Sequence, residues 1–76
     1  MGIEEKKFIE IEEYIRSSSY GRVEDLSKYI LGMADITLRE AERIANRILE
    51  DMWFKGEVRL PYKEQKRGAY IFETVG

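Results

Sequence analysis

The chain is 76 residues long, contains neither cysteine nor histidine, and carries 15 acidic and 13 basic residues for a net charge of −2. Without these two residue types it lacks disulfides, thiolate metal sites, the commonest metal ligand and the commonest general base. No apolar run approaches the roughly 20 residues of a membrane span, and the charged N-terminus does not match a secretory signal. We therefore expect a cytoplasmic protein with no metal, no cofactor, no membrane contact and no evident small-molecule substrate.

Charge is abundant and unevenly distributed along the chain. Charged residues make up 37% of the sequence, with one proline, a composition that resembles hyperthermophile proteins. Residues 1–25 hold seven acids and four bases, whereas residues 51–76 hold five bases and four acids, and all five bases fall between Lys55 and Arg67. Because local charge steers a charged ligand more than the total does, we expect an acidic and a basic face.

The N-terminal half contains two stretches of apolar residues at helical spacing, which predict helices over about residues 3–17 and 24–32. The repeating positions are Phe8, Ile11 and Ile15 in the first helix and Leu26, Tyr29, Ile30 and Met33 in the second. Residues 20–23 between them favour a short extended segment. The five glutamates of the first helix have no histidine or convergent acid elsewhere to support catalysis or metal binding, so they predict a solvated acidic face.

A third helix over residues 37–54 has the clearest start signal in the chain. Thr37 followed three residues later by Glu40 is a capping box, in which each side chain bonds to the other residue's backbone N–H. Gly56 suits the left-handed position that ends a helix. The apolar face of this helix consists of Ala41, Ile44, Ala45, Ile48, Leu49 and Met52.

After Gly56 the hydrophobic period changes from helical to alternating, which predicts a strand over residues 58–62 and a second strand from residue 69. The polar stretch 63–68 between them predicts a loop, so the two strands form a hairpin. A two-stranded hairpin is marginal alone and must pack on the helices. We expect it to do so through Val58, Leu60, Tyr70 and Phe72.

The stretches VEDLSKYI, GMADI, TLREAERIANRILEDM, KGEVRL and YKEQKRG before AYIF, in this order, resemble winged helix-turn-helix DNA-binding domains. The resemblance implies one α+β domain over residues 1–76, with three helices and a C-terminal two-stranded β-hairpin wing. It also implies sequence-specific binding of double-stranded DNA by a small transcriptional regulator, with helix 37–54 in the major groove and loop 63–68 as the wing. The family includes protein-interaction modules without DNA contact, so an adaptor or assembly subunit is the alternative. The stretch MWFKG departs from the pattern, because Trp53 and Phe54 make this helix end bulkier.

Carried over residue by residue, the resemblance places two groups of side chains at the DNA. The recognition-helix group is Thr37, Arg39, Glu42, Arg43, Asn46 and Arg47, with Leu38 beside it, and the wing group is Arg59, Lys63, Lys66 and Arg67. Asparagine can bond bidentately to adenine, although a lone asparagine on a helix surface is commonly just polar.

Three of these residues, Arg39, Arg43 and Arg47, recur every fourth position, a like-charge spacing that mildly destabilises a helix. Arginine has a planar, forked donor set that suits phosphate and guanine, which favours a recognition surface. The alternative is local neutralisation by neighbouring carboxylates on the same helix. The pairs would be Arg39 with Glu42, Arg43 with Glu40, and Arg47 with Glu50 or Asp51.

The first helix has a wide apolar stripe, which predicts a homodimer whose interface includes Ile3, Ile9, Tyr14 and Trp53. The alternative is that so small a domain needs all of its apolar residues for its own core. Ser17, Ser18 and Ser19 are the clustered nucleophile candidates, but no general base accompanies them. We therefore expect no enzymatic activity.

Overall fold

The computed structural model describes residues 4–64 and 70–75, and it confirms the predicted α+β class. The helices are α1 (Glu5–Ser17), α2 (Val23–Leu31), α3 (Leu38–Phe54) and the single-turn α4 (Pro61–Glu64). The strands are β1 (Tyr20–Arg22), β2 (Val58–Arg59) and β3 (Ile71–Thr74). Among the described residues, no helix is long and apolar enough to cross a membrane.

The sheet has three antiparallel strands in the order β1-β3-β2, where the sequence predicted a two-stranded hairpin. The short extended segment between α1 and α2 supplies the third strand, with Gly21 opposite Phe72. On the other edge of β3, Val58 lies opposite Thr74. Because β3 is hydrogen-bonded on both sides, the sheet is larger than the marginal hairpin that the alternating pattern predicted.

The chain between β2 and β3 also differs from the prediction. The strand expected over 58–62 ends at Arg59, and Pro61 begins α4. Proline is favoured at the first position of a helix because the N–H it lacks would have no partner there. The Lys63 N–H donates to the Leu60 carbonyl at 2.8 Å. Lys63 and Glu64, expected in loop 63–68, therefore belong to a helical turn, while residues 65–68 lie outside the described part.

The predicted start and end of α3 are confirmed. Thr37 is the N-cap residue and forms a reciprocal capping box with Glu40. Gly56 follows the helix end with a φ of 81°, a value that glycine adopts without steric cost. The buried residues of α3 are Ala41, Ala45, Ile48, Leu49 and Met52, and α3 packs against α2.

The core draws on all three long helices, the two strands β2 and β3, and the turn before α4. Its buried members outside α3 are Ile11, Ile15, Val23, Leu26, Ile30, Val58, Leu60 and Phe72. Tyr70 was expected in the core with Phe72 but is half-exposed. The strand predicted from residue 69 begins only at Ile71, so the alternation of buried and exposed residues does not extend to position 70. Phe72 packs directly on Gly21, where a Cβ atom would lie 2.7 Å from the Phe72 Cζ atom. A residue without a side chain at position 21 is therefore what lets β1 approach β3.

Candidate nucleic-acid interface

Arg39, Arg43 and Arg47 are all exposed on α3, and we call these three residues the arginine row. Residues four positions apart lie on one face of a helix, so the three guanidinium groups share a face. The buried residues Ala41 and Ala45 lie on the opposite side of the same helix. Because the alanine face of α3 packs into the core, the opposite face with the arginine row points to solvent.

The capping box occupies the polar groups at the start of α3. The Thr37 hydroxyl oxygen accepts from the Glu40 N–H at 3.2 Å, and the Glu40 carboxylate accepts from the Thr37 N–H at 2.9 Å. The bond from the Thr37 backbone is the main cause that lowers the pKa of Glu40, and the charge of Arg43 contributes to the same direction. Thr37, predicted to contact DNA, therefore uses its hydroxyl within the helix cap, and Glu40 stays ionised there.

The two acidic residues near the end of α3 pair with lysines. Glu50 lies 2.9 Å from the Lys63 amino group, and Asp51 lies 3.2 Å from that of Lys55. Within residues 4–64 and 70–75, no member of the arginine row forms an ion pair. The pairs expected under local neutralisation are thus not formed in the described structure.

Asn46 is already hydrogen-bonded at both ends of its side-chain amide. Its Nδ2 atom donates to the Glu42 carbonyl at 2.9 Å, and its Oδ1 atom accepts from the Tyr70 hydroxyl at 2.8 Å. A bidentate contact to adenine needs that same donor and acceptor. Asn46 therefore holds Tyr70 in this structure. The Glu42 carboxylate, by contrast, is exposed and makes no ion pair within the described residues.

Tyr70, which was wrongly predicted to lie in the core, links the sheet to α3. Its ring packs against Tyr62, with centroids 4.4 Å apart and planes tilted by 57°. Burial raises the pKa of Tyr62 to about 12, so this partner stays neutral near pH 7. Tyr70 is held by a ring on one side and by Asn46 on the other. No sequence signal pairs side chains 24 positions apart.

Two of the four predicted wing residues lie in the described part of the chain. Lys63, besides its ion pair, lies 5.8 Å above the centroid of the Trp53 ring, so it packs against the end of α3. Arg59 is exposed on β2, where it lies opposite Glu73. Lys66 and Arg67 lie outside the described residues, so the basic tip of the wing stays a prediction.

The residues predicted for a dimer interface are not all available for one. The Tyr14 ring stacks on Tyr29, with centroids 4.0 Å apart and planes within 8° of parallel. Trp53 is half-buried beneath Lys63, and Ile3 lies outside the described residues. Ile9 is 52% exposed and keeps its apolar side chain in solvent.

Phe54, which the sequence marked only as bulky, is 88% exposed at the last position of α3. The amphipathic pattern could have identified it, because position 54 falls on the same side of α3 as the arginine row. Phenylalanine there is an apolar residue on a polar face, and this is the signal that was missed.

The described residues contain no cluster of three or more acidic side chains able to hold a metal ion. The site is thus a cationic helix face beside a tyrosine-linked sheet. No protein-family model matches the chain, and no curated protein or solved structure matches it.

Proposed function

We propose that this protein is a small winged helix-turn-helix transcriptional regulator that binds double-stranded DNA sequence-specifically through α3. The arginine row carries the proposal, because three exposed guanidinium groups share one face and form no ion pair among the described residues. An exposed ion pair between an arginine and a carboxylate contributes about 0.2–1 kcal/mol to stability. Here three of the nearby acids are engaged elsewhere, Glu40 in the helix cap and Glu50 and Asp51 with lysines.

The order of the elements supports this function. A short connection joins α2 to α3, and α3 is followed by the two strands β2 and β3. In helix-turn-helix proteins the N-terminal part of the second helix contacts base edges in the major groove. On this proposal Arg39 and Arg43 contact phosphates and guanine edges, and residues 63–68 contact the adjacent backbone.

The division of labour within α3 follows from its hydrogen bonds. Arg43 makes no hydrogen bond or ion pair within residues 4–64 and 70–75, whereas Asn46 is bonded to both Glu42 and Tyr70. Asn46 therefore fixes the position of Tyr70 relative to α3, and the arginines do the reading. Phosphate contacts supply most of the affinity and base contacts supply the discrimination.

Salt-dependent binding to duplex DNA tests the proposal. Fluorescence anisotropy with a labelled random duplex should show affinity falling steeply as salt rises, because binding releases counterions from the phosphates. Arg43→Ala should weaken binding by about 1–3 kcal/mol and relax the preference at one base position. Arg16→Ala is the matched control, since it also removes one positive charge but lies on α1, 3.0 Å from Glu57.

Two results would contradict the proposal. If no duplex binds even at low salt, the protein is not a DNA-binding protein, and a protein-interaction module becomes the better reading. If Arg43→Ala and Arg16→Ala weaken binding equally, DNA is bound by a surface other than α3. Circular dichroism of each variant verifies that the fold is kept.

A further inference from the structure

A groove of about 600 Å³ lies between α1 and the last turns of α3, away from the helix start. Its apolar lining comes from Phe8 of α1 and from Ile48, Trp53 and Phe54 of α3. Phe54 stands at the rim with 88% of its surface exposed. Leaving an aromatic ring of this size in water forgoes the free energy that burial would supply. The groove is thus an apolar surface whose most exposed ring is not covered by any of the described residues.

Among the described residues that line the groove, one charged side chain has no ion-pair partner within the described structure. Three carboxylates line it, and each has a cationic partner: Glu12 lies 3.9 Å from Arg16, Glu50 pairs with Lys63, and Asp51 pairs with Lys55. Arg47 also lines the groove and forms no ion pair within the described residues. An occupant that fits is therefore apolar where it meets Phe54 and acidic where it meets Arg47.

The outer face of α1 has that combination. Ile9 is 52% exposed and follows Phe8 directly in the chain. Glu5 and Glu13 lie one helical turn before and after Ile9, so both carboxylates flank it on the same face. Both are exposed, and neither forms an ion pair within the described part of the chain.

We propose that the groove binds Ile9 of a second copy of this chain, in a two-fold symmetric dimer. Each copy carries the groove and Ile9 side by side on α1, so one two-fold contact buries both at once. The aromatic lining covers Ile9, and Arg47 of each copy meets the Glu5 and Glu13 carboxylates of the other. This inference does not depend on DNA binding. It uses Arg47 of the arginine row, whereas Arg39 and Arg43 do not line the groove.

Sedimentation equilibrium of the protein without DNA tests the apolar part of the contact. Ile9→Ser and Phe54→Ser should each weaken dimerisation by about tenfold or more, because each removes a buried apolar anchor. Both residues are exposed in the monomer, so both variants should stay folded by circular dichroism. Tyr20→Ser is the matched control, because it removes a 66% exposed aromatic residue from β1 and should leave dimerisation unchanged.

A charge exchange tests the polar part. Arg47→Glu places like charges opposite each other in its own dimer, and so does the double variant Glu5→Lys with Glu13→Lys. Each variant alone should therefore be largely monomeric. When the two are mixed, every contact regains opposite charges, so a heterodimer should form with affinity near that of the unmodified chain. A residue that matters only for folding would not show this rescue.

Three outcomes would overturn the inference. The first is that the unmodified chain stays monomeric up to high micromolar concentration, in which case a different partner covers Phe54. The second is that Phe54→Ser dimerises as tightly as the control. The third is that the mixed charge variants fail to associate, which would leave Arg47 outside any interface with α1.

Discussion

The first and second halves of α3 treat charge differently, although both lie on one continuous helix. In residues 38–46 Glu40 is held in the cap, and Glu42, Arg39 and Arg43 form no ion pair in the described structure. In residues 47–54 Glu50 pairs with Lys63 of α4, and Asp51 pairs with Lys55, the C-cap residue four positions further along. Each half contains two acidic residues, with two arginines in residues 38–46 and one in residues 47–54. What differs is which cationic or backbone group each carboxylate reaches in three dimensions.

This comparison shows why a charge pattern on a helix does not determine its own neutralisation. Spacings of three and four residues permit pairing along the helix, but they contribute only about 0.2–0.5 kcal/mol. A capping bond contributes more, typically about 1 kcal/mol, so Glu40 is held mainly by Thr37, and Arg43 acts on it through its charge without forming an ion pair. Because the Glu40 carboxylate is engaged in the cap, it forms no ion pair with Arg43, and the Arg43 side chain stays exposed to solvent.

The largest expected effect comes from a substitution in the buried face of α3, which supports both halves of the helix. Leu49 is fully buried on α3, so Leu49→Ala should lower the free energy of unfolding by about 2–5 kcal/mol through lost burial and a residual cavity. Urea denaturation followed by circular dichroism measures it. Glu42→Ala on the same helix is the control, since Glu42 is exposed, and it should change stability by less than about 0.5 kcal/mol. Equal losses for the two variants would mean that Leu49 is not part of a packed core in solution.

The next effect separates the first half from the second. Thr37→Ala removes the side-chain acceptor of the cap and should cost about 1 kcal/mol of stability. Amide hydrogen exchange should quicken most at the start of α3, where the N–H of Glu40 loses its partner. For amides around Glu50, exchange through local opening should change little, and only exchange through global unfolding should quicken. Uniform acceleration along α3 would contradict a local capping role.

A smaller effect acts at the junction of α3 with the sheet. Tyr70→Phe removes the hydroxyl that donates to Asn46 and should cost about 0.5–1.5 kcal/mol, toward the lower end because the bond is exposed. The side-chain amide resonances of Asn46 should shift in an NMR spectrum. Tyr20→Phe is the control, since Tyr20 is exposed on β1 and should give no shift at Asn46. Unchanged Asn46 resonances in Tyr70→Phe would mean that the bond is absent in solution.

The smallest effect on stability concerns the second half. Glu50→Gln releases Lys63 from its ion pair and should change the free energy of unfolding by less than about 0.5 kcal/mol. If α3 binds DNA as proposed, removing this negative charge should raise duplex affinity at low salt. Glu10→Gln on the exposed face of α1 makes the same charge change farther away and should leave affinity unaltered. A gain of the same size in both variants would point to net charge alone.

The parts of the fold with strong local signals were predictable from sequence. The capping box, the apolar face and the glycine after α3 each rest on residues within one or two turns of each other, and all three agree with the structure. The third strand could only be suggested, because three residues carry too little pattern to show that they pair with residues 71–74.

The errors arose where distant contacts override local pattern. The alternation through Tyr62 and Tyr70 continues that of the strands, yet α4 and the start of β3 interrupt it at those positions. The role of Asn46 depends on a hydroxyl 24 residues away, so no local rule reveals it. Of the candidate site, the arginine row was predictable, while the engagement of its acidic neighbours was not.

The central position of β3 has a consequence for the order in which this chain folds during synthesis. β1 and β2 do not pair with each other, so neither has a partner before residues 71–74 leave the ribosome. The contact of Gly21 with Phe72 spans 51 positions, and contacts between residues so far apart in the chain slow folding. Helices α1 to α3 are made earlier and must hold their apolar faces together until β3 arrives. Delayed sheet closure therefore makes the nascent chain depend on the packing of α2 with α3, and we expect those two helices to form the folding nucleus.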